Sequence, residues 1–408
     1  MLILKAYKFR LEPTPEQSQR LRQLCGCARF IWNYGLAETQ QILNSGSKLP
    51  SAFALNRMLT EWKKIPELAF LQEAYTDNLQ QKLKDLHRAW KRCFDKKLSA
   101  KKTVFKRKNE GRDTIRFVNF EKYCRLENRR IKFPSGLGWI KFRQSQKVTG
   151  KIKNATVSQS CGKWYVSIQT EYDVAAPLHP STSMVGLDVG IAKLATLSDG
   201  TVFAPVNSFK TNQKKLSKLQ CQLSRKVKFS ANWQKLKRKI QRLYSHIANI
   251  RKDYLHKTTT EISKNHAMIV IEDLKVSNMS KSAKGTIEQH GRNIRAKSGL
   301  NRSILDQGWY EFRRQLDYKQ QWRGGQVLAV PPAYTSQKCA CCGHTAKSNR
   351  SSQSQFECLA CGYSENADIN GARNILAAGH AVLACGGLAQ SGHPLKQEPD
   401  AERSVVTH

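Results

Sequence analysis

Residues 184–200 read MVGLDVGIAKLATLSDG, and this stretch decides the fold. Val185, Leu187 and Val189 form a short apolar run that contains one acid, Asp188. Ala192, Leu194, Ala195 and Leu197 follow, and Asp199-Gly200 closes the passage with turn residues. The pattern predicts strand, hairpin turn and strand, with Asp188 in mid-strand. A carboxylate inside an apolar strand is costly to bury unless it is paired or holds a metal. The situation recurs at AMIVIEDL (267–274), an apolar strand with Glu272 at its end, where open α/β sheets place site residues. A third acid, Asp368, opens the apolar helix of ENADINGARNIL (365–376). Taken alone, Asp368 reads as an N-cap or a first-turn acid favoured by the helix dipole. Together the three carboxylates read as a divalent-cation site, since Mg²⁺ takes hard oxygen ligands and needs few from protein. Asp199, Asp273 and Glu365 are assigned to turns, caps and supporting positions.

Between the second and third acids lie four cysteines with metal-ligand spacing. Cys339 and Cys342 form one CxxC, Cys358 and Cys361 the other, and each pair is followed at once by glycine, Gly343 and Gly362. Four thiolates make a closed tetrahedral Zn²⁺ site, structural because no position stays open for water. Cys341, inside the first pair, and His344 leave open which residue of that knuckle ligates. The other cysteines, such as Cys93, Cys124, Cys161, Cys221 and Cys385, show no pairing logic and read as small buried hydrophobes in a reducing compartment.

Charge narrows the partner. The 408 residues hold 69 Lys+Arg against 31 Asp+Glu, a net charge of +38, far beyond what solubility asks, so a polyanion is expected. Neither an apolar run of ~18 residues nor a signal-peptide core is found, and the chain reads as intracellular. The basicity is local. Residues 82–108 carry twelve Lys+Arg against Asp85 and Asp95, and 210–257 carry fifteen against Asp253 alone. Lys82, Lys84, Arg88, Lys91 and Arg92 are the first candidates for a nucleic-acid backbone, and Lys235, Lys239 and Arg242, on one helix face, the second.

Around these features the period of the apolar residues sets the organisation. Residues 2–11 alternate as a strand, Pro13-Thr14-Pro15-Glu16 starts a helix, and helical spacing persists to about 99. Period two returns from 114 to 172, with a hairpin turning at Gly162. The expected architecture is therefore a β-barrel domain (1–12 with 112–175) carrying a helical insertion (13–111). A Pro/Ser-rich break at 175–184 leads into an α/β domain (176–386) that includes the cysteine ribbon (333–364). Leu236, Ile240, Leu243, Ile247, Ile250 and Tyr254 make a coiled-coil seam for two antiparallel helices turning near Phe229-Ser230. Residues 280–301 read as a mobile loop or a lid that orders on substrate, and 387–408 as a flexible tail.

GLDVG, VIEDL and ADINGARNI resemble the three split motifs of the TnpB family, transposon-encoded proteins with a ribonuclease H-like RuvC domain. The likeness extends to FRLEPTPEQ, CARFIWN and FRRQLDYKQQWRGGQV, so it spans nearly the whole chain. The resemblance implies an α/β RuvC nuclease with an inserted zinc ribbon, a wedge barrel and a helical recognition domain. It implies that Asp188, Glu272 and Asp368 are catalytic and bind two Mg²⁺, that a guide RNA from the transposon end selects double-stranded DNA beside a short adjacent motif, and that the protein acts in the prokaryotic cytoplasm at the nucleoid. A monomer is the favoured state. The alternatives are a DNA strand-transfer transposase and a catalytically silent RNA-guided DNA-binding regulator. The family often carries two alanines where this chain has Gly371-Ala372.

Overall fold

Alternation makes the first strand. β1 (Leu2–Glu12) turns Ile3, Tyr7, Phe9 and Leu11 into the core and exposes Leu2 and Leu4. Thr14 then caps α1 (Pro15–Asn44) in a capping box: its hydroxyl accepts from the Gln17 N–H, and the Gln17 side chain accepts from the Thr14 N–H. The same unit continues through α2 (Ala52–Trp62), α3 (Thr76–Phe94), β2 (Thr114–Val118), α4 (Phe120–Tyr123), β3 (Arg125–Glu127), β4 (Arg130–Phe133), β5 (Gly138–Arg143), β6 (Lys151–Ser160) and β7 (Lys163–Asp173). This computed structural model describes residues 1–98, 100–108, 113–286 and 288–385. It divides into two units, Met1–Ala175 and Ala176–His408.

The seven strands of the first unit form one antiparallel sheet in the order β2-β6-β7-β1-β5-β4-β3. β2 and β3 are its edges and do not pair, so the expected barrel is a half-barrel. Cys161 and Gly162, both at positive φ, make the two-residue turn that joins β6 to β7. The helical block enters between β1 and β2. It buries Leu79, Leu83, Leu86 and Trp90 of α3 in one core with Phe9, Ile115 and Phe117 of the sheet.

The second unit runs β8 (Met184–Val189), β9 (Ala195–Leu197), β10 (Val202–Phe203), α5 (Ser208–Ser224), α6 (Ala231–Asn265), β11 (Met268–Glu272), α7 (Val276–Met279), α8 (Ile294–Gln307), α9 (Trp309–Arg323), β12 (Gln326–Val330), β13 (Gln355–Glu357), β14 (Ser364–Asn366) and α10 (Ala367–Ala384). Its main sheet has the order β10-β9-β8-β11-β12, with β8, β11 and β12 parallel and β9 and β10 antiparallel. Both faces are covered. Val185, Leu187, Ile269 and Ile271 pack with Leu255, Ile262, Phe312 and Leu316 of α6 and α9. Met184, Val270, Leu328 and Val330 pack with Ile375, Leu376 and Val382 of α10.

The helical hairpin forms as the seam predicts, with Leu216 of α5 against Ile240, Leu243 and Ile247 of α6. The expectation for residues 280–301 is corrected. The loop ends at Asn293, and 294–301 belongs to α8. Its anchors fall beyond the polar window: Ile304, Asp306 and Gln307 are buried in the last turns, and hydrogen bonds from Lys297 to the Met279 carbonyl and from Asn301 to the Lys281 carbonyl hold its start. The expected tail, 387–408, lies outside the described residues.

Candidate metal centres and nucleic-acid interface

Period two explains where the acids point. On β8, Met184, Gly186 and Asp188 share one face; on β11, Val270 and Glu272 share the corresponding face, which α10 covers. The parallel register pairs Val270 with Gly186 and Ile271 with Leu187, so its next step sets Glu272 beside Asp188. Both acids therefore stand at the C-terminal ends of adjacent parallel strands, and Asp188 lies at the end of β8 rather than in mid-strand. Gly186 allows the helix to come this close: a Cβ there would lie 2.0 Å from the Ala372 carbonyl oxygen of α10. The α10 N-cap is Asn366, whose side chain accepts from the Asp368 N–H, which leaves the Asp368 carboxylate free to face the strands.

The electrostatics record the meeting of the three. Burial, then the charges of Glu272 and Asp368, push Asp188 up to about 7, opposed by Arg350 and a backbone N–H. Burial also raises Glu272, while a 2.6 Å hydrogen bond from the Thr335 hydroxyl lowers it. Asp368 is the acid with a cation beside it, Lys193 Nζ at 3.1 Å, and the same ammonium donates to the Asn366 side chain. Lys193 comes from the loop between β8 and β9.

The four cysteines draw together more tightly. Among the described residues they are the group of His, Cys, Asp or Glu side chains whose ligand atoms all lie within 4.8 Å of one another; the three acids do not close to that distance. Cys339 Sγ lies 3.7 Å from Cys361 Sγ, and Cys342 Sγ 3.6 Å from Cys358 Sγ. A tetrahedron with ~2.3 Å Zn–S bonds has an edge of ~3.8 Å, so the sulfurs fit Zn²⁺. The two knuckles share one backbone pattern. Gly343 and Gly362, both at positive φ, donate to the carbonyls of Cys339 and Cys358, whose N–H groups reach His344 and Tyr363. Cys342 belongs to the group and Cys341 lies outside it.

Sequence reasoning missed the residues that join the two centres. Asn370 of α10 accepts from the Ala340 N–H inside the first knuckle and donates to the Lys338 carbonyl. Asn374, one turn on, donates to the carbonyls of Thr335 and Lys338. The helix that brings in Asp368 is thus hydrogen-bonded to the ribbon, and Thr335, in the turn after β12, ties the same segment to Glu272. The legible signal was Asn at i and i+4 on the inward face of an apolar helix, where a buried amide needs partners.

Of the candidate backbone-binding cations, Lys84, Arg88, Lys91 and Arg92 on α3 are exposed, as are Lys235, Lys239 and Arg242 on α6. Lys82 is the exception and a correction. It is buried, its ammonium donates to Thr114 of β2, and desolvation pulls its pKa below the usual lysine value. No helix among the described residues is long and apolar enough to cross a membrane.

Comparison with known proteins agrees with these motifs. A family model described as "Probable transposase" (OrfB of IS605) matches residues 167–283, and one described as "Cas12f1-like, TNB domain" matches 309–375. A "Helix-turn-helix domain" model matches 1–48, residues that fold here as β1 and the single long α1. The chain is 64% identical to "Putative RNA-guided DNA endonuclease InsQ" of Escherichia coli (strain K12) over 97% of both chains. It is 32% identical to "Putative RNA-guided DNA endonuclease" of Streptomyces pristinaespiralis, over 94% of this chain and 91% of that one. It also matches "CRISPR-associated endodeoxyribonuclease Cas12f1" of Sulfoacidibacillus thermotolerans, at 26% identity over 52% of this chain and 50% of the other. Identity of this extent, over nearly the whole of both chains, means that the chain belongs to the TnpB family, the OrfB proteins of IS605-type elements.

Proposed function

We propose that this chain is an RNA-guided DNA endonuclease whose catalytic acids are Asp188, Glu272 and Asp368. The observation that carries the reading is the convergence of three acids from separate segments on one face of the β8–β11 sheet, with Asp188 raised to about 7 by burial and then by the charges of its neighbours. Hard carboxylate oxygens crowded at one sheet end are the donor set that Mg²⁺ takes, and the repulsion between them is what a divalent cation relieves. Bound there, such ions would supply water activation and charge neutralisation at the leaving 3′ oxygen.

The chain's own residues do the positioning. Asp188 and Glu272 ride on strands buried on both faces, and Thr335 orients Glu272 by a charge-assisted hydrogen bond of about 1.5–3 kcal/mol. Lys193 holds Asp368 and adds positive charge where a phosphate would enter. Cys339, Cys342, Cys358 and Cys361 would hold one Zn²⁺, which fixes the ribbon against α10.

In this reading 176–386 is the ribonuclease H-like RuvC domain with the ribbon at 333–364, 1–12 with 112–175 is the wedge domain, and 13–111 is the recognition domain. Guide pairing supplies sequence, while exposed cations such as Lys84, Arg88, Lys91, Arg92, Lys235, Lys239 and Arg242 grip RNA and DNA backbone. The protein acts as a monomer in the bacterial cytoplasm, on the nucleoid. The test is direct. Protein purified with RNA transcribed from the transposon end should linearise a plasmid carrying the matching target in Mg²⁺, and Asp188→Asn should not. Joined DNA products formed without RNA would replace this reading with strand transfer.

A further inference from the structure

The tip of the α5–α6 hairpin carries large apolar side chains that face solvent. Val227 and Phe229 are 80% and 67% exposed. Phe229 also has φ of +70°, a region that bulky residues rarely occupy. The turn that imposes this conformation is well built. The Ser230 hydroxyl caps α6 by accepting from the Trp233 N–H, the Ser230 N–H donates to the Val227 carbonyl, and the Gln234 side chain donates to the Phe229 carbonyl. The Phe229 and Trp233 rings stand 5.4 Å apart at 58°, with Lys228 Nζ 5.3 Å from the Phe229 ring and Lys237 Nζ 4.9 Å from the Trp233 ring.

A strained, solvent-facing ring held by ordered hydrogen bonds calls for a partner. The hairpin's charge says which kind: residues 210–257 hold fifteen Lys+Arg and one acid. Tilted aromatic faces flanked by ammonium groups match a nucleobase with its phosphates. Duplexes keep their bases stacked inside, whereas single-stranded RNA loops and bulges present theirs to aromatic side chains.

We propose that Phe229 and Trp233, with Lys228 and Lys237, form a stacking site for an unpaired base of the RNA that the protein carries. The proposal deepens the RNA-guided reading and rests on it. It assigns the tip a task distinct from that of Lys235, Lys239 and Arg242: the rings grip a base, and the cations along the helix follow the backbone.

The experiment uses the full chain and a transcript of the DNA flanking its reading frame, with single-stranded DNA of the same sequence as control. Ultraviolet crosslinking and trypsin digestion should leave a nucleotide adduct on peptide 229–235. Phe229→Gly is the informative variant, because it removes the ring and also relieves the left-handed backbone. Its thermal midpoint should hold or rise while RNA affinity falls about 10- to 30-fold, within the range for loss of one base–aromatic stack, and the salt slope should stay unchanged. Trp233→Ala should lose a similar factor, and Phe229→Tyr should bind as the parent does. Affinities within twofold of the parent for both Phe229→Gly and Trp233→Ala would overturn the proposal. So would an equal loss on single-stranded DNA, or a parent dimer that Phe229→Gly dissociates. If the parent binds the transcript and these variants match it, the tip proposal falls alone; if the parent binds no RNA, the RNA-guided reading falls with it.

Discussion

The second unit contains two candidate metal centres that are built in opposite ways. The cysteine centre closes on itself: two knuckles of one local pattern bring four sulfurs within 4.8 Å, with nothing left open. The acid centre is assembled from two strands and a helix far apart in sequence, stands wider, and keeps a lysine on one of its members. The difference separates a site that ends a local fold from a site that has to admit a substrate. A closed thiolate cage needs only chain connectivity. An open carboxylate cluster needs the whole sheet and α10 to resist its own repulsion.

The largest effect should fall on the open centre. Asp188→Asn is expected to lower plasmid cleavage at least about a thousandfold, ~4 kcal/mol of barrier, with circular dichroism unchanged. A variant that kept a tenth of the activity would remove Asp188 from the chemistry. Next, Cys358→Ser should take zinc from one per chain to near none by mass spectrometry and lower the thermal midpoint by several degrees, because the ribbon loses its closure. Zinc retained at full stoichiometry would point to a substitute ligand such as Cys341.

The bridge between the centres comes third. Thr335→Val should cost about tenfold in cleavage, ~1.4 kcal/mol, and Thr335→Ser should restore it, since only the hydroxyl reaches Glu272. A fourth measurement concerns pH. Asp188 is raised in the fold, so its contribution to stability is complete below the ordinary aspartate range and is lost as pH rises through about 7. Metal-free Asp188→Asn should therefore melt a few degrees above the parent at pH 8 and by less at pH 5, the two converging only below the ordinary aspartate range, and the reverse order would refute the raised carboxyl. The smallest effect is expected at Gly371. A Cβ there would stand 3.6 Å from Asp188 Oδ2, an ordinary contact, so Gly371→Ala should change cleavage by less than about twofold.

The comparison also explains what could be read from the sequence. The cage was legible at once, because ligand spacing and following glycines are local. The strands that hold Asp188 and Glu272 were legible because an acid in an apolar run is conspicuous. The partners Lys193 and Thr335 were not, since each reaches its acid through tertiary geometry that no local period encodes. Lys82 shows the same limit from the other side. Its helix face looked uniformly basic, yet β2 covers that one position, and only the sheet's placement tells it from Lys84. The start of α8 was read as loop because hydrogen bonds, and apolar anchors further on, hold it rather than any stripe of its own.

Asp306 has a mechanical consequence. This buried carboxylate accepts from the Ser208 hydroxyl and from the N–H groups of Phe209 and Lys210, and it meets Arg251 of α6. One anion thus roots both legs of the hairpin to α8. From Arg251 to the start of α6 the rod extends about 30 Å beyond that joint. A tilt of a few degrees at the pivot would swing the far end by an ångström or more, so the hairpin is a lever whose stiffness is set at its base.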